Sequence, residues 1–251
     1  MTDTIERFSN RVANYVKYRP HYPRQVLDYL RQEIGLTSEK LIADIGCGTG
    51  ISSELFLKNG NVVFGVEPNE AMRAAAVEYL NEFVNFKPVT ATAENTILDD
   101  HSVDIVLAGQ AFHWFDLDRT KKEFKRILKP GGHIVLMWNE RQLHTTPFLV
   151  EYEQLLLKYG RDYEVVRHDK FDEKVLDHYF DHGVKKAVFE NVQRVDLEGL
   201  KGRMLSASYM PTEENAVFPA MVEELSRLFA EHSENGRIDI LYDTNVYVSQ
   251  V

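Results

Sequence analysis

The chain has 251 residues, 44% of them hydrophobic and 27% charged, and a formal net charge of −10. That length buries a large core and suits one α/β domain, and the balance of apolar and charged residues excludes a disordered chain. The acidity disfavours nucleic acid and acidic membrane surfaces as partners. No apolar run nears the roughly 18 residues of a membrane span and the N-terminus lacks a signal-peptide pattern, so a cytoplasmic location is expected. In chain order, residues 1–36 read as an arm followed by a helix; the arm carries Phe8, Tyr15, Tyr18 and Tyr22 with Arg11 and Arg19. From 24 to 139 strand and helix patterns alternate, the signature of a doubly wound parallel sheet. Strands are expected at 41–46, 62–67, 84–90, 103–109 and 132–138, with helices starting near Ile51, Glu70 and Asp116. Asp116 and Asp118 suit a helix N-terminus, and Lys129-Pro130-Gly131 suits its end. The cluster Lys121-Lys122-Glu123-Phe124-Lys125-Arg126 reads as a solvated helix face, because Phe124, Ile127 and Leu128 fall between the charges at helical spacing. Beyond 140, helices are expected over 147–160 and 213–232 and strands over 184–195 and 239–250.

The most informative stretch is Leu41-Ile-Ala-Asp-Ile-Gly-Cys-Gly-Thr-Gly50, which ends a β-branched run in Asp44 and three alternating glycines before a helical pattern. A loop with almost no side chains lets a nucleotide-like ligand lie against backbone N–H groups at the carboxyl edge of a parallel sheet. The dinucleotide fingerprint requires a third glycine at position 51, which here is Ile51, so the spacing is G-x-G-x-G. The next apolar run ends in Glu67, where a carboxylate can accept hydrogen bonds from both ribose hydroxyls; a solvated loop-edge charge is the alternative. Cys47, the single cysteine, excludes an intrachain disulfide and reads as packing within the loop rather than as a nucleophile.

Asp44–Gly50 followed by Val66-Glu67-Pro68-Asn69, Thr92-Ala93-Glu94-Asn95 and Leu128-Lys129-Pro130-Gly131-Gly132 resembles the class I methyltransferases that use S-adenosylmethionine. The resemblance covers residues 38–140. It implies a Rossmann-like seven-stranded sheet, mostly parallel with an antiparallel C-terminal hairpin, and a helical cover. It also implies a cofactor site drawing on Asp44, Gly46, Cys47, Gly48, Glu67, Pro68, Met72, Ala93 and Glu94, with 92–95 beside the adenine. Tyr18-Arg19-Pro20-His21-Tyr22-Pro23, Gly109-Gln110-Ala111-Phe112-His113-Trp114-Phe115 and Ser206-Ala207-Ser208-Tyr209 are similar to the subgroup containing trans-aconitate methyltransferases, which methylates small molecules, some through a carboxylate oxygen. One domain is expected over 1–251: a 38–140 cofactor core, a 141–183 lid segment, and 184–251 completing the sheet and the substrate-side helices. Arg141, His144, Arg161, Arg167, His168, His178 and His182 are candidates for that lid.

Methyl transfer from a sulfonium is an in-line displacement in which the protein aligns and shields the reactants. A carboxylate acceptor needs no general base; an amine, phenol or carbon acid does. Gln110 and Trp114 are therefore expected near the cofactor, an aromatic face suiting a sulfonium. His113 is the candidate base or substrate hydrogen-bond partner, with a structural bond to a backbone carbonyl as the alternative. Arg19 offers a bidentate fork for the cofactor carboxylate or the substrate, against a surface salt bridge. Tyr15, Tyr18, Trp138, Asn139, Arg203 and Tyr209 complete the expected substrate wall; Ser206 and Tyr209 share a helix face if 197–209 is helical. No metal is expected, since no His-x-x-His or Cys/His cluster has ligand spacing, and no G-x-S-x-G elbow is present. A cofactor-binding module without catalysis and a nicotinamide-dependent dehydrogenase are the competing readings.

Overall fold

The computed structural model describes residues 16–161, 163 and 174–251, so Tyr15, Arg167 and His168 lie outside the described residues, as does the side chain of His178. Elements follow in the order α1 (Gln25–Ile34), β1 (Leu41–Ile45), α2 (Ile51–Lys58), β2 (Val62–Val66), α3 (Glu70–Tyr79), β3 (Phe86–Val89), β4 (Val103–Gly109), a 3-10 turn (Phe112–Trp114) and α4 (Leu117–Ile127). Then come β5 (Leu128–Arg141), α5 (Pro147–Tyr159), α6 (Lys174–Tyr179), β6 (Lys185–Val195), α7 (Leu197–Leu205), α8 (Phe218–His232) and β7 (Ile238–Gln250). The strands form a seven-stranded mixed sheet ordered β3-β2-β1-β4-β5-β7-β6, with antiparallel C-terminal strands. Strands β1 to β5 pair in parallel. The strand order reverses between β1 and β4, and in an open α/β sheet that switch point opens a crevice at the carboxyl ends of the two strands.

Contacts gather the chain into two compact units, each containing several chain segments. The core unit comprises 21–139, 174–189 and 244–251 of the described residues. Its strands are buried on both faces, so successive residues feed opposite cores. Ile42, Ile105, Leu107, Val135 and Met137 join one cluster, and Ala43, Ile45, Val106, Ala108, Ile134 and Leu136 join the other. Side-chain caps fix where its helices begin: Asn69 accepts from the Met72 N–H at 3.1 Å, and Asp116 accepts from the Arg119 N–H at 3.1 Å. Such caps satisfy N–H groups that the helix itself leaves unpaired.

The second unit comprises 16–20, 140–161, 163 and 190–243 of the described residues, built around Leu149, Tyr152, Leu156, Leu200, Met204, Met221 and Leu225. The segment expected as one lid, 141–183, therefore divides between the units. Three further boundaries differ from expectation. Strand β5 begins at Leu128, because Leu128 already pairs with Val103 and the register then shifts, absorbing Lys129-Pro130-Gly131. Helix α8 begins at Phe218 rather than 213, with Pro219 in its first turn, where the missing N–H costs nothing. Helix α7 ends at Leu205, so Ser206 and Tyr209 share no helix face; the Ser206 hydroxyl instead donates to the Arg203 carbonyl at 2.7 Å, a local bond that competes with helix continuation.

Candidate functional site

In the core unit the loop after β1 is a cradle of backbone. Gly46, Gly48 and Gly50 have φ of 67°, 55° and 88°, a region that favours glycine. A Cβ on Gly46 would lie 2.8 Å from that of Ala111, whereas one on Gly48 would meet nothing within 4 Å. Glu67, 8% exposed, braces this loop: Oε2 accepts from the Gly48 N–H at 3.0 Å and Oε1 from the Asn69 N–H at 2.8 Å. Burial pushes its carboxyl pKa up, and the two N–H donors pull it back down. Cys47 is buried and its thiol is pushed well above its usual range by burial, which agrees with a packing role.

Asp44 is fully buried, and its Oδ2 accepts from the hydroxyls of Ser52 at 2.7 Å and Ser53 at 2.6 Å. Its Oδ1 has no hydrogen-bond partner among the described residues. Burial raises the Asp44 pKa from 3.8 to about 6 against the pull of both serines. A carboxyl whose folded pKa exceeds its unfolded one holds a proton over that window that the unfolded chain has lost, so stability falls as pH rises through it. Between pH 4 and 7 the ligand-free protein is expected to lose roughly 2 kcal/mol through this group. Denaturant unfolding at pH 5 and 8 checks this: the wild type should lose more stability over that interval than Asp44→Asn.

Apart from Arg19, the other expected cofactor residues lie on the same unit. Ala93 and Met72 are buried and Pro68 is exposed. Glu94 accepts from the Asp116 N–H at 3.2 Å, tying the 92–95 segment to the start of α4. After β4, Gln110 has φ of 58°, donates its side-chain N–H to the Asn139 carbonyl at 3.1 Å, and leaves Oε1 without a partner among the described residues. A non-glycine residue at positive φ costs energy and is common where a backbone must aim a side chain. The His113 and Trp114 rings lie 4.7 Å apart, and Trp114 is 45% exposed while Phe112 is fully buried.

Two residues expected on the substrate wall have other work. Trp138 is 2% exposed, edge-on to Phe112 and Tyr247, and so is core packing. Asn139 donates to the His21 carbonyl at 3.3 Å and accepts from the Thr244 hydroxyl at 2.5 Å. Its polar atoms are spent on joining chain segments.

The second unit holds Tyr18, Arg19, Arg203 and Tyr209. Arg19 donates to the Ser206 carbonyl at 3.1 Å, and the Tyr18 ring packs where a Cβ on Gly202 would lie 2.1 Å away. Arg203 Nε donates to the Tyr242 hydroxyl at 3.0 Å, which donates onward to Gln193 at 3.2 Å. Tyr152, Glu153 and Tyr163 beside Arg141, and Tyr242 beside Arg203, are polar neighbours that no sequence pattern singles out. Glu151, Glu231 and His232 also offer side-chain atoms within 4.8 Å of one another, and His232 and Glu151 are hydrogen-bonded at 3.2 Å.

The methyltransferase domain model matches residues 43–136. An uncharacterized methyltransferase of Mycobacterium tuberculosis H37Rv is 30% identical over 225 residues, covering 90% of this chain and 86% of the relative. The malonyl-[acyl-carrier protein] O-methyltransferase of a Marinomonas species is 32% identical over 136 residues, covering 52% of this chain and 49% of that one. A solved structure from Anaeromyxobacter dehalogenans, provisionally assigned as a type II methyltransferase, has a TM-score of 0.70 at 21% identity, covering 93% of this chain and 97% of that one. The chain belongs to the class I S-adenosylmethionine-dependent methyltransferases, and S-adenosylmethionine is its cofactor. The residues present fit that cofactor. The open space over Gly48 leaves backbone accessible, and the unpartnered Asp44 Oδ1 keeps an acceptor for a donor group. No helix among the described residues is long and apolar enough to cross a membrane.

Proposed function

We propose that the protein methylates a carboxylate oxygen of a small molecule, as its resemblance to the trans-aconitate subgroup implies. The observation that carries the cofactor half is the Gly46–Gly50 cradle braced by Glu67. An oxygen acceptor is supported by the Marinomonas relative, named as a malonyl-[acyl-carrier protein] O-methyltransferase. When bound, S-adenosylmethionine supplies a methyl group already activated as a sulfonium. In this reading Gly46, Gly48 and Glu67 hold the nucleoside, with Ala93, Glu94, Pro68 and Met72 around it, while Asp44, Gln110 and Trp114 line the methionine side. These residues would align that methyl group with the acceptor oxygen and shield both from water. A carboxylate is ionised at neutral pH, so no residue has to remove a proton.

His113 then orients the acceptor by a hydrogen bond and is dispensable as a base. His113→Gln is expected to lower kcat by less than about tenfold and to leave the pH profile flat between 6 and 8, since loss of a general base costs about 100-fold or more. A steady-state profile on wild type and variant checks this. Incubation with radiolabelled S-adenosylmethionine and a panel of small carboxylic acids tests the acceptor. Base-labile methyl esters support the proposal, and base-stable products alone overturn it.

A further inference from the structure

Two carboxyl groups and a thiol meet at the glycine loop of the core unit, and their surroundings differ. Glu67 spends both oxygens on backbone donors, from Gly48 and Asn69. Arg73 on α3 also donates to the Glu67 carbonyl at 3.0 Å. Those donors favour the ionised form of Glu67. The Cys47 thiol is buried and held neutral.

Asp44 has neither advantage. Two serine hydroxyls reach its Oδ2, its Oδ1 has no hydrogen-bond partner, and no cation pairs with it among the described residues. The elements packed against it supply no cation either. Its partners on β2 and β4 are Gly65 and Leu107. Asp104, at the far end of β4, is held by Lys40 and Lys129. On α2, Glu54 is joined to His21 at 2.9 Å and to Lys58 at 2.8 Å. Tyr22 adds a hydroxyl: a Cβ on Gly109 would lie 2.9 Å from the Tyr22 hydroxyl and 3.0 Å from that of Ser52. The charge that does act on Asp44 is that of Glu67, which has the same sign. A carboxyl without water, counter-charge or a donor for one oxygen keeps its proton to higher pH than an exposed aspartate. The rise to about 6 agrees with that geometry.

We propose that binding of S-adenosylmethionine expels a proton from Asp44, so that cofactor affinity rises with pH across the slightly acidic range. This rests on the placing of Asp44 on the methionine side of the cofactor. In the complex, Oδ1 accepts from the ammonium of the methionine part. The carboxyl O–H bond breaks, its proton passes to water, and the charge left on Asp44 meets a cation. A donor at Oδ1 favours the ionised carboxyl, and by linkage the ionised carboxyl favours the ligand to the same extent. The sign is diagnostic, because an acceptor group at Oδ1 would hold the proton in place and make affinity fall with pH.

Calorimetry of S-adenosylhomocysteine binding to the full chain, repeated in buffers of different ionisation enthalpy, counts the protons exchanged. The wild type should release about half a proton per site at pH 6 and almost none at pH 7.5. Its affinity should rise about 10-fold between pH 5 and 7. In Asp44→Asn the release at pH 6 should vanish, and affinity should change less than about twofold over the same range. Infrared difference spectra of the wild type give a second reading that needs no variant: at pH 6 the ligand should remove a carboxylic-acid carbonyl band and add a carboxylate band. Proton uptake, binding at pH 6 with no proton exchanged and no change in the carboxyl bands, or the same release and pH slope in Asp44→Asn overturns the proposal and leaves the methyltransferase reading intact. A folded wild type that binds no S-adenosylhomocysteine at any of these pH values contradicts the placing of the cofactor in this loop, and the proposal falls with it.

Discussion

Glu67→Gln is expected to raise the dissociation constant for S-adenosylhomocysteine by between about 10- and 100-fold. Each oxygen of Glu67 accepts one backbone N–H, from Gly48 and from Asn69. Glutamine keeps the length but offers one acceptor and one NH2, so one buried N–H must face a donor. That loss is worth about 1–3 kcal/mol and falls on the two segments that frame the cofactor loop. The removed charge further weakens any hydrogen bond that the carboxylate accepts from ribose hydroxyls, since ionised acceptors bind about twice as strongly as neutral ones. Unfolding and calorimetry on the same variant separate the effects: stability should fall modestly, and affinity should fall further than stability loss alone produces in a protein that remains folded.

The second large effect is a contrast between neighbouring glycines. Gly46→Ala places a Cβ 2.8 Å from that of Ala111, at φ of 67°. Overpacking and left-handed strain add, and the variant is expected to lose about 2–5 kcal/mol of stability. Gly48→Ala, at φ of 55° with nothing within 4 Å, carries the conformational term alone, about 1–2 kcal/mol. Its methyl group instead intrudes on the space where a ligand must approach the backbone. Gly48→Ala should therefore bind S-adenosylhomocysteine at least about tenfold more weakly while staying folded, and Gly46→Ala should fail first in thermal unfolding. Equal behaviour of the two variants would mean that the open space over Gly48 is not where the cofactor lies.

The core unit was legible because its chemistry is written in local patterns. The β-branched run at 41–45 and the glycine spacing after it belong to one strand and one turn, and the Asp116 cap lies beside the helix that it starts. Glu67 was legible for the same reason, since it ends the strand paired with β1. What was not legible depends on long-range packing. Trp138 at a strand end reads as a candidate wall residue until Phe112 and Tyr247 are found against its faces. Asn139 carries the groups of a binding residue, and only His21 and Thr244, each more than a hundred residues away, show where they go. Arg203 and Tyr242 are 39 positions apart in sequence, and no spacing rule brings them together. The helix stop at Leu205 hid similarly, because a serine hydroxyl turning onto the Arg203 carbonyl leaves no trace in periodicity.

The account stands on the core unit holding S-adenosylmethionine through its glycine loop. The most direct measurement is calorimetric titration of the wild type with S-adenosylmethionine and S-adenosylhomocysteine, with NADH as control. Binding of both sulfur nucleosides with micromolar affinity, with no heat from NADH, is the predicted result. Binding of NADH in their place, or of none of the three by folded protein, would contradict it.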